Sequence, residues 1–373
     1  MKKYNYFLVC PLNIEQLLEQ ELIIKWKLAF PQTEVPSYKL LTGGIECQIS
    51  PKQMKSFLGF LKLPSKVLRR LMLNEKCFGE EQFDSLVRQI PWNNFKIGPK
   101  TKINVSSQSS RIYHKKKISQ KISTIFESLG FKNPSSNQDQ DAYEVLFRLE
   151  NNRLSISLNQ YEKLYHRGLH PLVGKAPMRE HIAASCFFLL YQLAPKLFSP
   201  ELSSKKERQI IDPFCGSATL LSESFYFFFN KTINQFYSAP MNTKNLSLVG
   251  IDRDLKKIEA NQEFFASLPQ FKFYRSSITD KVSPVSIEQD KIRIVISNPP
   301  FFKRLNEKSH IKPIQLLNIV LEKYRPDYLC FIYPVEESFP EKVTYYAQVK
   351  KAKINFSGIK CYIYIYKNEK NEY

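Results

Sequence analysis

The sequence predicts an α/β chain: a mostly parallel sheet with helices on both faces, preceded by an α+β module. From residue 209 onward, "QIIDPF", "LSLVGID", "FKFYRS", "IRIVISN", "DYLCFIYP" and "KCYIYIYK" are short apolar runs separated by helical or polar stretches. That alternation marks a sheet wrapped by crossover helices. Before residue 160 the strands and helices follow no such regular alternation. Three of the later strand ends carry unusual residues, and ligands of such sheets bind beyond the carboxyl ends of the strands.

The opening "YNYFLVCPLNIEQLLEQELIIKWKL" reads as a strand and then a helix, with Ile14, Leu17, Leu18, Leu22 and Ile23 close to the helical period. "KLLTGGIECQI" reads as two strand pieces around Gly43-Gly44. "SPKQMKSFLGFLKL" reads as a helix with Ser50 as N-cap and Pro51 at its first position. Residues 100–121 hold a strand, "KINVSS", and from about Ser110 a helix with Ile118, Ile122 and Ile125 on one face. "NPSSNQDQDAY" is a polar loop, and "YEVLFRLENNRLSISLN" a hairpin turning at Asn151-Asn152. "YHRGLHPLVGKAPMREHIAASCFFLLYQLA" passes from a loop into a long helix beginning near Pro177. A domain boundary is expected at 160–175, with an N-terminal module over 1–163 and a second domain over 164–373.

Lys and Arg exceed Asp and Glu by 20 in 373 residues. A surplus of that size fits a polyanionic partner, nucleic acid first, with plain solubility or an anionic membrane surface as other readings. Lys100, Lys102, Arg111, Lys115, Lys116, Lys117 and Lys121 crowd into 100–121, and no acid interrupts them. The strip is either a solvated helix face or a set of phosphate contacts at a helix start. No window approaches the length of a membrane-spanning helix, and the first apolar run is too short for a signal peptide. The seven cysteines are scattered singly, without a CxxC pair, so no zinc site is expected. Isolated cysteines suit a reducing cytoplasm.

The first unusual strand end is "IIDPFCGSATLLSES": a strand ending at Asp212, a tight turn with Gly216, then a helix. Gly216 can take positive φ and let a ligand approach the backbone. No Gly-Lys-Ser/Thr follows, and Ala218 fills the second glycine slot of GxGxxG, so the turn points to an adenosine-type ligand rather than a Walker or dinucleotide site. The second is "LVGIDRD", ending at Asp252, where such folds place a carboxylate for ribose hydroxyls. Taken alone, that acid can also be read as a helix N-cap. The third is "SNPPFF", Ser297 to Phe302. Two prolines remove two backbone donors and fix two φ angles, leaving a stiff loop with an amide at its entrance.

Together these ends resemble the class I S-adenosylmethionine-dependent methyltransferases, in the branch that methylates exocyclic amines and carries (Asn/Asp/Ser)-Pro-Pro-(Tyr/Phe). Asn298-Pro299-Pro300-Phe301 match all four positions. An exocyclic amine on a purine is a poor nucleophile because its lone pair is delocalised into the ring. The Asn298 side-chain oxygen and the Pro299 carbonyl can each accept one N–H, Phe301 can stack on the base, and the prolines hold the acceptors in place.

The resemblance extends to the THUMP-domain methyltransferases through Arg167-Gly168, Ala176-Pro177-Met178-Arg179-Glu180, Ala183-Ala184 and "DPFCGSATLL". It implies a Rossmann-like methyltransferase sheet behind a ferredoxin-like plus THUMP RNA-binding module. It implies S-adenosyl-L-methionine held by Phe214, Gly216, Ser217, Thr219 and Asp252, with Asp212 near its amino group. RNA contacts are implied at Arg111, Lys115, Lys116, Lys117, Lys303 and Arg304, and neither a metal nor a membrane. The chain looks most like the bacterial large-subunit rRNA guanine-N2 methyltransferases, with tRNA guanine-N2 enzymes as relatives. The implied reaction is methylation of a guanosine N2 in structured RNA, 23S rRNA first. An adenine-N6 methyltransferase on DNA or RNA, and a catalytically inactive RNA-binding relative, are the alternatives. Three departures stand out: Ala218 for a usual glycine, Ser276-Ser277 where an acid near the adenine is expected (Asp280 follows), and Phe301 for a tyrosine.

Overall fold

The structure is a computed structural model, and it describes residues 2–95, 101–131, 144–159, 161, 164, 167–171, 178–198, 206–229, 245–288, 290–300, 311–336, 338–356 and 358–371. The chain packs as two compact units, one of Met1–Val9, Pro36–Ser56 and Pro64–Leu164, the other of Cys10–Val35, Phe57–Leu63 and Tyr165–Tyr373.

The first half runs β1 (Tyr4–Val9), α1 (Glu15–Ala29), β2 (Tyr38–Leu41), β3 (Gly44–Ile49), α2 (Pro51–Phe57), β4 (Lys66–Lys76), α3 (Glu80–Arg88), β5 (Lys102–Gln108), α4 (Lys115–Ser128), β6 (Glu144–Glu150) and β7 (Arg153–Asn159). Its strands form one sheet in the order β2-β3-β1-β4-β7-β6-β5. Gly44 has no room for a side chain, because a Cβ there would lie 2.0 Å from the Leu8 carbonyl oxygen. The β6–β7 turn is the expected one. Asn151 and Asn152 both take left-handed φ, at 50° and 57°, which matches the twist of a two-residue hairpin. Phe83, Val87, Ile118, Ile122 and Phe126 of α3 and α4 bury against Val145, Phe147 and Ile156 of the sheet.

Ser50 caps α2 as expected: the Gln53 N–H donates to Ser50 Oγ at 3.3 Å, and the Ser50 hydroxyl donates to Gln53 Oε1 at 2.7 Å. The next helix, α4, starts at Lys115 and not near Ser110. Side-chain bonds keep 110–112 off the helical path. The Arg111 N–H donates to Asn152 Oδ1 at 2.8 Å, the Asn152 N–H to Ser110 Oγ at 3.0 Å, and the Ser107 hydroxyl to the Ile112 carbonyl at 2.6 Å.

The second half runs α5 (Glu180–Leu193), β8 (Arg208–Asp212), α6 (Thr219–Phe229), β9 (Leu246–Asp252), α7 (Leu255–Phe264), β10 (Phe271–Arg275), β11 (Ile292–Ser297), α8 (Pro313–Tyr324), β12 (Tyr328–Pro334), β13 (Lys342–Val343), β14 (Tyr346–Phe356) and β15 (Ile359–Asn368). The sheet order is β10-β9-β8-β11-β12-β15-β14-β13. The first five of these pair in parallel and the last three antiparallel. Every residue of β8 and β11 is buried, as in a parallel sheet covered on both faces. All six anticipated strands are present. The sequence reading missed β14, because Lys350, Lys351 and Lys353 are exposed and break up its apolar content. The α5 helix begins at Glu180, three residues past Pro177, and 172–177 lie outside the described residues.

The helix α1 and residues 57–63 pack with the C-terminal residues, whereas a division at 163/164 would place them in the N-terminal module. Buried charge ties α1 to residues 57–63, and the Arg167 guanidinium ties those to the C-terminal residues by donating to the Lys62 carbonyl at 3.3 Å. The Glu21 carboxylate accepts from the backbone N–H of Lys62 at 2.8 Å and of Leu63 at 2.9 Å, and it pairs with Lys25 at 3.2 Å. The Lys25 ammonium donates to the Phe60 carbonyl at 2.8 Å. Among the described residues, no helix is long and apolar enough to cross a membrane.

Candidate active site

The strands β9, β8 and β11 are adjacent and parallel, so Asp252, Asp212 and Ser297 arrive at the same end of the sheet. Asp212 is only 2% exposed. Its Oδ1 accepts from the Phe214 N–H at 3.1 Å and from the Ser297 hydroxyl at 2.8 Å. Burial pushes its carboxyl up to about 7, against the pull of those two hydrogen bonds, and the Asp252 charge adds to the rise.

The turn after Asp212 is tied to its neighbours at several points. The Cys215 N–H donates to the Ile251 carbonyl at 2.9 Å. The Gly216 N–H donates to Asp252 Oδ2 at 3.0 Å, and its carbonyl accepts from Asn261 Nδ2 at 2.8 Å. Gly216 has φ 53°, and a Cβ there would meet nothing within 4 Å, so the space beside it is open. Ala218 also lies in the left-handed region, at φ 58°, and is fully buried. A glycine would take that conformation freely, whereas alanine takes it under strain. Phe214 is half-buried against the core around Leu316 and Tyr324, while Ser217 and Thr219 are buried in the turn.

Asp252 is not the helix cap. Asp254 is: its side chain accepts from the Lys256 N–H at 3.1 Å. The two Asp252 oxygens accept from the Gly216 and Asp254 N–H groups, each at 3.0 Å. A carboxylate offers about four lone-pair sites, so acceptor capacity remains. Gly250, before it, has no room for a Cβ, which would sit 2.5 Å from the Phe273 ring.

The loop after β10 is pinned from both sides. Asp280 Oδ2 accepts from the Ser276 hydroxyl and the Ser277 N–H, both at 2.7 Å. The Lys323 ammonium donates to the carbonyls of Asp280 at 2.8 Å, Ile278 at 3.3 Å and Ser277 at 3.4 Å. The acid sought near the adenine therefore folds onto its own loop. Sequence reasoning missed Asn261 and Lys323. The one local signal for Asn261 is a polar residue on the buried face of α7.

Asn298 follows β11 and is half-buried; its Oδ1 is buried and has no hydrogen-bond donor among the described residues. Pro299 is buried and Pro300 exposed. Phe301, Lys303 and Arg304 lie outside the described residues. Arg111, Lys115, Lys116 and Lys117 belong to the first unit, not to the strand ends. Lys117 is held by Glu80 at 2.6 Å.

The family model UPF0020, described as RMKL-like, methyltransferase domain, matches residues 167–365. The chain belongs to the RMKL-like methyltransferase family. This RMKL-like chain is 23% identical over 355 residues to Ribosomal RNA large subunit methyltransferase K/L of Marinomonas sp. (strain MWYL1), across 82% of the chain and 44% of that relative. It thus spans less than half of that protein's length. Its fold is similar to that of a possible methylase from Clostridium difficile 630, with TM-score 0.70, 19% identity and full coverage of both chains. It is also similar to SMU.472, solved complexed with SAH, with TM-score 0.66 and 16% identity across 98% of each chain. The fold is that of the class I methyltransferases, whose cofactor is S-adenosyl-L-methionine. The residues present fit that group. The open space at Gly216 admits it, Asp252 keeps acceptors for hydroxyls, and a cationic amino group would relieve the buried Asp212 carboxylate.

Proposed function

We propose that the chain methylates the N2 exocyclic amine of a guanosine in structured RNA, with 23S rRNA as the substrate. The buried Oδ1 of Asn298, which has no donor among the described residues, carries this reading, since such an acceptor is prepared for an N–H that arrives with the substrate. The name of the Marinomonas relative and the basic surplus of the chain support RNA.

S-adenosyl-L-methionine supplies the methyl group on a sulfonium. Asp252 would hold ribose hydroxyls and Asp212 the amino group, with Phe214, Gly216, Ser217 and Thr219 lining the turn. Asn298 Oδ1 accepts one N–H of the guanine amine and the Pro299 carbonyl the other, which localises the nitrogen lone pair. Phe301, the next residue but one, stacks on the extruded base; extrusion costs a few kcal/mol, on the order of one lost stack. The nitrogen pair forms the new N–C bond while the sulfur–carbon pair returns to sulfur, and the amine proton leaves to water. Arg111, Lys115, Lys116, Lys303 and Arg304 would contact phosphates.

The test incubates the protein with unmodified total RNA and methyl-labelled S-adenosylmethionine, then digests the RNA to nucleosides for mass spectrometry. Labelled N2-methylguanosine that disappears with Asn298→Ala is the expected result. Labelled N6-methyladenosine would assign the site to the other amine. Cofactor binding without any labelled nucleoside would overturn the RNA substrate.

A further inference from the structure

The pair Arg167-Gly168 and the acid Glu180 stand apart from the strand ends, yet all three are built into one buried ion cluster. Gly168 takes left-handed φ at 69°. On either side of it, the backbone N–H groups of Arg167 and Leu169 both donate to the Glu180 carboxylate, the latter at 3.3 Å. Glu180 is 1% exposed and opens α5. The Arg167 guanidinium lies 3.5 Å from Glu180, donates to the Lys62 carbonyl at 3.3 Å, and pairs with Glu223 at 2.5 Å. Glu223 is 2% exposed and sits on α6. One residue earlier, the Ser222 hydroxyl donates to the Leu169 carbonyl. Residues 167–169 therefore grip the start of α6 twice while being held by α5.

The start of α6 is the end of the cofactor turn. The Ser222 N–H donates to the Ala218 carbonyl at 2.8 Å, and the Ala218 N–H to the Cys215 carbonyl at 2.7 Å. Ala218 is held at φ 58° between them. A residue with a Cβ stays in that region only where its surroundings over-determine it. We propose that Arg167 is a positioning residue for the cofactor turn: through Glu223 it fixes α6 in the register that keeps Ala218 left-handed and the turn at Gly216 open. This inference rests on the cofactor reading of that turn.

The experiment is a double-mutant cycle read by calorimetric titration with S-adenosylhomocysteine, alongside thermal melting. Arg167→Met is expected to weaken binding about tenfold, the size expected when one strained residue is released. Adding Ala218→Gly is expected to restore most of that loss. Glu223→Gln, which keeps shape and loses charge, gives the same cycle where Arg167→Met does not fold. A merely structural ion cluster would lose stability in Arg167→Met and Glu223→Gln and gain no affinity from the glycine. Wild-type affinity in Glu223→Gln, or no recovery with Ala218→Gly, would overturn the clamp. Failure of the wild-type protein to bind S-adenosylhomocysteine would overturn the cofactor reading, and the clamp with it.

Discussion

The Ser297 hydroxyl donates to Asp212 Oδ1 at 2.8 Å, joining the strand end before Asn298 to the strand end before the cofactor turn. Asp212 is therefore shared between the two halves of the site. Its carboxyl titrates near 7 because it is buried. In the folded protein it keeps a proton that the unfolded chain releases near 4. Its contribution to stability is thus complete below about 4 and is lost as pH rises through 7. A cationic amino group bound beside it favours the ionised form. Affinity for S-adenosylhomocysteine should rise toward pH 7 and then level off. Titrations across pH should show this dependence flattened in Asp212→Asn and moved to higher pH in Ser297→Ala, which removes a bond that lowers the pKa. A flat wild-type profile would remove Asp212 from the amino-group contact.

Ala218→Gly should leave stability nearly unchanged. The substitution relieves a left-handed penalty of about 1–2 kcal/mol, while glycine's unfolded-state entropy and the lost buried methyl cost about 0.4–1 and about 0.8 kcal/mol. Ala183, equally buried on α5, has no such strain to relieve, so Ala183→Gly should cost about 2 kcal/mol from propensity and the lost methyl. Denaturant unfolding of the two variants measures the difference. Equal losses would mean Ala218 carries no strain.

Asn298→Ala should reduce the methylation rate by about 10²–10³, the size seen when one preorganised polar partner is removed. Affinity for S-adenosylhomocysteine should hold, because the cofactor turn lies on β8 and β9, not on Asn298. A binding loss as large as the rate loss would place Asn298 in the cofactor site instead.

RNA affinity should fall steeply with salt. Arg111→Ala, Lys115→Ala and Lys116→Ala should each flatten the log–log slope by about 0.7–0.9 for every phosphate left without its cation. Lys117→Ala should flatten it less, since Glu80 already holds that ammonium at 2.6 Å. Wild-type slopes in all four variants would deny the helix start any role in RNA binding.

Lys62 is buried and its Nζ has no hydrogen-bond partner among the described residues. Burial lowers its pKa to about 7; the Arg167 and Lys25 charges add to the fall, and Glu223 and Glu21 oppose it. Between about 7 and 10.5 the unfolded chain holds a proton that the folded chain has lost, so stability rises with pH across that window. Lys62→Met should stabilise most below pH 7, and the gain should shrink as pH approaches 10.5. Melting temperatures from pH 6 to 10 measure it, and a gain independent of pH would mean Lys62 keeps its proton in the folded chain across that window.

Much of the site was legible in the sequence, because its signals are local. Apolar runs mark the strands, and Asp212, Asp252 and Asn298 stand where those runs stop. Asn151-Asn152 and Ser50 act through their own turns. The start of α4 was misjudged because Asn152, distant in sequence, holds Arg111 off the helix. The strand β14 was missed because its exposed lysines hide a pattern that only pairing with β15 makes visible.

By itself the sequence determined the fold class, the three strand ends and the residue types gathered there, since a strand and the turn that ends it are fixed by near neighbours. Only the tertiary structure decided that Ala218 is left-handed, that Asn261 and Lys323 brace the loops, and that α1 packs with the C-terminal residues. It alone joined Arg167 to Glu180 and Glu223. Those outcomes depend on burying charge and closing hydrogen bonds between residues far apart in the chain, and such pairs leave no period along it.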